Sequence, residues 1–322
     1  MDNQVLDTLE KIGLVPLAVL DEAETAVPLA RALRAGGIDT MEITFRTGCT
    51  LDAIASVKRR VPGFLIGAGT VLTERQAQDA VRAGADYIVM PGFDPEIVDW
   101  CRKNGVPVIP GCATASEIQA AVKKGLSVLK FFPAESSGGV RACAALAGPF
   151  RAVKFLPTGG ISLDNLSDYA GRDFIFAIGG SWLCGKNDVK AGSWDRITAC
   201  AKQSVQTLLG YEVVHVGLNT GSAGEAGTIA DQIAGLFGFP VRRGPASTFV
   251  GTGFEINHSV GLGTHGHVAI DTNSVARAEY YLSKAGVSFD EGSRVTAGGK
   301  TAVVYLRQEF GGFAIHLRQR KA

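Results

Sequence analysis

Short apolar runs recur about every 20 to 25 residues between positions 15 and 178. They read VPLAV (15–19), TMEIT (40–44), LIGAG (65–69), DYIVM (86–90), VPVIP (106–110), VLKFF (128–132), VKFLP (153–157) and FIFAI (174–178). The segments between them, such as TERQAQDAVRAGA and ASEIQAAVKKG, carry apolar residues at helical spacing, and several end in Gly, a helix stop signal. Strand and helix alternating eight times predict a parallel sheet, and eight units are the number that closes a barrel. An open doubly wound sheet would want a Gly-rich phosphate turn after its first strand, and VPLAVLDEAET has none. The expected fold class is α/β, a (β/α)8 TIM barrel preceded by an N-terminal helix.

A helical stretch, SWDRITACAKQSVQTLLG (193–210), follows the last unit, and from Tyr211 the texture changes. His215 opens HVGLNT and His267 opens HVAIDT, each followed by a helix-periodic segment and then by β-like stretches ending near GFEIN (253–257) and GFAIHL (312–317). That is a βαβββ module written twice, a smaller α+β domain. The expected domains are residues 1–209 and 210–322.

Composition narrows the function classes. Lys plus Arg number 32 against 31 Asp plus Glu, with no long block of either sign, so neither nucleic acid nor a membrane is an expected partner. There is no apolar run of transmembrane length, and MDNQVLDTLEKIG lacks the basic start and apolar stretch of a signal peptide. The six cysteines never approach CxxC spacing and read as reduced thiols of a cytoplasmic protein.

Reactive groups of a barrel project from the C-terminal ends of its strands. In MEITFRT (41–47), Glu42, Thr44 and Arg46 share one parity and Met41, Ile43 and Phe45 the other, which turns the carboxylate, hydroxyl and guanidinium inward. In VLKFFPAE, Lys130 falls opposite in parity to Leu129 and Phe131 and also aims inward. A structural ion pair is the plain reading of such a Lys and Glu. The chemical reading is a desolvated amine that attacks a carbonyl, with Glu42 moving protons beside it. PTGGIS (157–162) and IGGSWL (178–183) end the last two strands, and their paired glycines expose N–H groups where many barrels bind a phosphate.

Together these segments resemble the family of 2-dehydro-3-deoxy-6-phosphogluconate and 4-hydroxy-2-oxoglutarate aldolases. The resemblance is carried by AVPLARALRAGGIDTMEITFRT, IGAGTVL, MPGF, IPGCATASE, LKFFPAE, PTGGIS, AIGGSWL and SWDRIT, in family order over roughly residues 5 to 208. It implies a class I aldolase with Lys130 as Schiff-base lysine and Glu42 as acid/base. It implies Arg46 and Thr70 at the keto-acid end, and Thr158, Gly159, Gly160, Gly180 and Ser181 at the phosphate end. Pro91 and Phe132 match the pocket wall. Cys112 and Ala113 depart from the family pattern without touching these positions. The implied substrate is a phosphorylated 2-keto-3-deoxy sugar acid cleaved to pyruvate, with no cofactor in the barrel and a homotrimeric assembly.

The repeated βαβββ pattern resembles the vicinal-oxygen-chelate superfamily of glyoxalases and extradiol dioxygenases, over about residues 211 to 319. In that family each module contributes a metal ligand from its first strand and one from its last. His215 and His267 match the first-strand positions, and Glu255 and His316 are candidates for the last. Aligning GFEI with GFAI pairs Glu255 with Ala314, so Glu255 and His316 are not expected to be symmetry mates. Two His and a carboxylate suit a divalent transition metal. Two alternatives stay open for the second domain: a metal-dependent isomerase or lyase, or a non-catalytic regulatory or assembly module.

Overall fold

The computed structural model describes residues 4–321, and the chain divides into two compact units, Met1–Leu208 and Leu209–Ala322. The first unit holds eight short strands: β1 (Leu14–Ala18), β2 (Thr40–Thr44), β3 (Leu65–Gly69), β4 (Tyr87–Val89), β5 (Val108–Ile109), β6 (Val128–Phe131), β7 (Lys154–Pro157) and β8 (Ile178–Gly180). Six form one parallel sheet in the order β5-β4-β3-β2-β1-β8, and β6 and β7 form a parallel pair. Single bridges span both gaps, Gly111 to Lys130 on one side, and Phe155 to Ile175 and Thr158 to Gly179 on the other. The sheet is thus curled, with its strands following one another in chain order.

Two strands differ from the sequence pattern. The run at 174–178 bridges β7 only near Ile175, and β8 proper lies at Ile178–Gly180, where it pairs with β1. Only Val108 and Ile109 of the run at 106–110 form β5, because Pro107 and Pro110 flank them and donate no ladder hydrogen bond.

The helices of this unit are α1 (Gln4–Ile12), α2 (Ala26–Ala35), α3 (Thr50–Arg60), α4 (Glu74–Ala83), α5 (Pro95–Lys103), α6 (Ala115–Lys123), α7 (Gly139–Ala147), α8 (Leu166–Ala170), α9 (Lys186–Lys190) and α10 (Trp194–Leu209). Their starts follow local chemistry. Thr73 caps α4, Asp94 caps α5 ahead of Pro95, and Thr114 and Glu117 close a reciprocal capping box on α6. Leu9 of α1 joins Val15, Tyr87, Val89, Ile109, Leu156 and Phe176 in an apolar cluster, so the N-terminal helix packs on residues from the strands. Among the described residues, no helix is long and apolar enough to cross a membrane.

The second unit runs β9 (Glu212–Leu218), α11 (Ala223–Phe237), β10 (Val241–Arg243), β11 (Ser247–Val250), β12 (Phe254–Asn257), and then β13 (Gly266–Thr272), α12 (Val275–Lys284), β14 (Phe289–Ala297), β15 (Lys300–Phe310), β16 (Phe313–Gln319). The eight strands form one sheet in the order β10-β11-β12-β9-β13-β16-β15-β14. β9 and β13 pair antiparallel at its centre, and each is flanked by a parallel neighbour, β12 or β16, from its own module. On one module Ala226 and Ala230 of α11 pack on Val250 and Ile256, small helix residues letting the helix approach the sheet.

Candidate functional site

In the first unit, β2 and β6 deliver Glu42 and Lys130 to one place. Lys130 Nζ lies 3.1 Å from Glu42 Oε1, and the two side chains are only 5% and 2% exposed. An isolated charge at such a depth carries a heavy desolvation cost, so each group stabilises the other. Glu42 Oε2 is buried and has no hydrogen-bond partner. A carboxylate oxygen left open beside an amine is ready to accept a proton from whatever enters. The Phe132 ring centroid is 5.6 Å from Lys130 Nζ.

Phe132 also walls a cavity of about 370 Å³ that holds Arg46, Thr158, Gly159, Gly160, Gly180 and Ser181. Gly159 and Gly160 sit at φ of 103° and 79°, a left-handed turn that side chains resist. The neighbouring loop fixes this turn: Ala134 N donates to Thr158 O at 2.8 Å and Glu135 N to Gly159 O at 3.0 Å. Glu135 is itself held by the Tyr169 hydroxyl.

One placement differs from the strand-parity reading, and two positions carried by the family resemblance fall outside the cavity lining. β2 ends at Thr44, so Arg46 is on an exposed turn at the cavity edge and not inside the sheet. Thr44 is buried on the face of Glu42, as parity predicts: a Cβ on Gly69 would meet both, and Thr44 Oγ1 donates to Ala18 O at 3.2 Å. Neither Thr70 nor Pro91 lines this cavity. Thr70 nevertheless has φ of 58°, which a β-branched residue adopts only when its surroundings impose it, and such strain clusters at functional sites. Sequence reasoning missed Lys186. It stands at the start of α9, lines the cavity beside Ser181, and pairs with Asp21 at 3.1 Å. No periodic signal marks it, because it opens a helix of only five residues beyond the last strand.

The second unit gathers His215, His267, His316 and Glu255. His215 Nε2 and His267 Nε2 are 3.1 Å apart, and they lie 3.0 and 3.3 Å from Glu255 Oε2. One ring nitrogen from each of the three buried histidines lies within 4.8 Å of the others. Neither ring nitrogen of His316 has a hydrogen-bond partner. Burial pushes the His316 pKa down to about 3, helped by the neighbouring His267 and His215. Burial would raise the Glu255 pKa, but hydrogen bonds from His215, His267 and Ser247 hold it well below the usual carboxylate range. Ser247 Oγ donates to Glu255 Oε1 at 2.6 Å and orients the carboxylate.

Strand register explains the convergence and corrects the motif alignment. Glu255 pairs with Gly217 on β9, and His316 pairs with Ala269 on β13. Gly217 and Ala269 are the third residues of HVGLNT and HVAIDT, so Glu255 and His316 are equivalent by the repeat after all. The cluster forms two cross-strand rows, Glu255-Gly217-His267 and His215-Ala269-His316. Gly217 is required in the first, since a Cβ there would lie 2.1 Å from the His267 ring.

Comparison with known proteins places these geometries in context. The family model for KDPG and KHG aldolase matches residues 5–200. The chain is 48% identical over 202 residues to the 2-dehydro-3-deoxy-phosphogluconate aldolase of Treponema pallidum (strain Nichols), covering 63% of this chain and 96% of that protein. It is 44% identical over 193 residues to the KHG/KDPG aldolase of Escherichia coli (strain K12), covering 60% and 91%. Among solved structures it is similar to the KDPG aldolase of Legionella pneumophila, captured with pyruvate as a covalent carbinolamine intermediate. That match has a TM-score of 0.61 and 37% identity, over 63% of this chain and 98% of the other.

Proposed function

The chain belongs to the KDPG and KHG aldolase family, and from that premise we propose that its first unit, read as residues 1–209 and a (β/α)8 barrel, is a class I aldolase. It cleaves 2-dehydro-3-deoxy-6-phosphogluconate to pyruvate and glyceraldehyde 3-phosphate, and also 4-hydroxy-2-oxoglutarate to pyruvate and glyoxylate. The observation that carries the reading is the buried Lys130–Glu42 pair with its open carboxylate oxygen.

Lys130 Nζ attacks the C2 carbonyl carbon, with Glu42 as the adjacent acceptor for the amine's proton, and loss of water forms the iminium. Glu42, or a water it holds, then takes the C4 hydroxyl proton. The C3–C4 bond breaks, its electrons flow to the iminium, and glyceraldehyde 3-phosphate leaves. Protonation of the enamine at C3 and hydrolysis release pyruvate and restore the amine. Arg46 holds the carboxylate end, Phe132 walls the pocket, and Thr158, Gly159, Gly160, Gly180 and Ser181 take the phosphate through backbone and hydroxyl donors, while Thr70 at the carboxylate end and Pro91 at the wall rest on the family resemblance alone. The six unpaired cysteines fit a cytoplasmic protein, and the family resemblance supports a homotrimer. Borohydride trapping with pyruvate, read by peptide mass spectrometry, is expected to place a reduced adduct on Lys130. An intact, folded chain that yields no adduct there would end this assignment.

For residues 210–322 we propose a glyoxalase-like unit that binds a divalent transition metal through His215, His267, His316 and Glu255. Three imidazoles and one carboxylate form a suitable donor set, and the two unpartnered nitrogens of buried His316 are the observation that favours it. A bound ion would supply Lewis-acid chemistry there, and Ser247 keeps the carboxylate oriented. Metal analysis of the purified chain and of a His267→Ala variant tests this. A stoichiometry equal in both, or zero in the parent after incubation with Mn²⁺ or Zn²⁺, would refute it.

A further inference from the structure

A cavity of about 350 Å³ opens onto the histidine cluster, with Glu255, His267 and His316 on one wall. Its other polar side chains are neutral: Asn257, Ser259, Ser293 and Tyr305. Leu262, Val295 and Val303 supply apolar surface. No Lys or Arg is among the described residues that line it. Arg294 lies between two lining residues of β14 but is bound to Glu279 and Glu291, and Arg318 of β16 is bound to Asp271. The cavity of the first unit is of opposite character, with Arg46 and Lys186 in its wall.

This contrast constrains the ligand. With neutral imidazoles, the four side chains carry one negative charge, and a divalent ion among them leaves the site at plus one. A ligand with a single negative charge brings the site to neutrality. A phosphate ester brings a charge near minus two, and no lining side-chain cation meets the second charge, whereas a singly charged ligand is matched by the ion alone. Asn257 and the serine and tyrosine hydroxyls can orient a keto or hydroxyl oxygen, and the valines suit a short apolar tail.

We propose that the second unit binds a small, singly charged oxo or hydroxy acid and rejects phosphorylated ligands, so that of the two fragments released by the first unit it takes pyruvate and not glyceraldehyde 3-phosphate. The proposal rests on the metal reading above, and the test separates the two. The full chain carrying Lys130→Ala, which removes the covalent site for pyruvate, is loaded with Mn²⁺. Water-proton relaxation and the Mn²⁺ resonance spectrum are then followed during titration with pyruvate, and separately with glyceraldehyde 3-phosphate. Pyruvate is expected to change the signal saturably and with affinity about tenfold or more tighter than glyceraldehyde 3-phosphate. In Ser259→Lys, which adds a cation to the wall, that gap is expected to narrow. Equal or tighter binding of the phosphorylated fragment overturns the proposal. Bound Mn²⁺ that ignores pyruvate overturns it while leaving the metal site intact, and a chain that binds no Mn²⁺ overturns both.

Discussion

The two units solve the problem of buried charge in opposite ways. In the first, the buried Lys130 amine and Glu42 carboxylate meet each other directly at 3.1 Å. In the second, three imidazoles and a carboxylate converge with the His316 nitrogens left unpartnered, so the donor set is complete only with something added. Both sites leave buried polar atoms open, Glu42 Oε2 in the first and both His316 nitrogens in the second, so what tells a reactive amine from a ligand set is the donors themselves, an amine beside a carboxylate against three imidazoles and a carboxylate. Their cavities follow suit, cationic beside the first and free of Lys and Arg beside the second.

The sharpest way to break this contrast is Lys130→Ala. Aldolase turnover is expected to fall by about a thousandfold or more, while Mn²⁺ binding by the second unit is unchanged, as read by a coupled pyruvate assay and metal titration. The mirror experiment is His267→Ala. Metal affinity is expected to drop by about a hundredfold, with kcat/KM for the aldolase reaction unaltered. A parallel loss of both activities in either variant would show that the sites are not independent. Gly217→Ala probes the packing beneath the cluster. Its Cβ would overlap the His267 ring, so metal affinity is expected to weaken by about tenfold in equilibrium dialysis. The smallest effect concerns the cationic rim: Lys186→Ala is expected to raise KM for the phosphorylated sugar acid by about threefold. The same variant should leave 4-hydroxy-2-oxoglutarate cleavage unchanged, and an equal rise for both substrates would deny Lys186 a role at the phosphate end.

Much of the first unit was legible in the chain because its signals are local. Most strands are short apolar runs, α4, α5 and α6 announce their caps, and Glu42 and Lys130 follow from parity within a single strand. Parity misplaced Arg46 inside the sheet because it holds only while the strand continues, and β2 stops at Thr44, leaving Arg46 on a turn at the cavity edge. Lys186 escaped because it opens a helix of only five residues, too short to show a period. β5 shrank to two residues because its flanking prolines outweigh an apolar pattern.

By itself the sequence determined the alternation of strand and helix, the change of architecture near residue 210, the repeated βαβββ module, and the residue types able to do chemistry in each half. These depend on periodicity, caps and turn residues, which act over a few positions. Only the tertiary structure decided that Glu255 and His316 are equivalent. A slip of two residues keeps every side chain on the same face of the sheet, so the hydrophobic pattern cannot detect it. The matching GF turns drew the alignment to the wrong register. Pairing of β12 on β9 and of β16 on β13, between strands distant in the chain, set the register that brings the four side chains together.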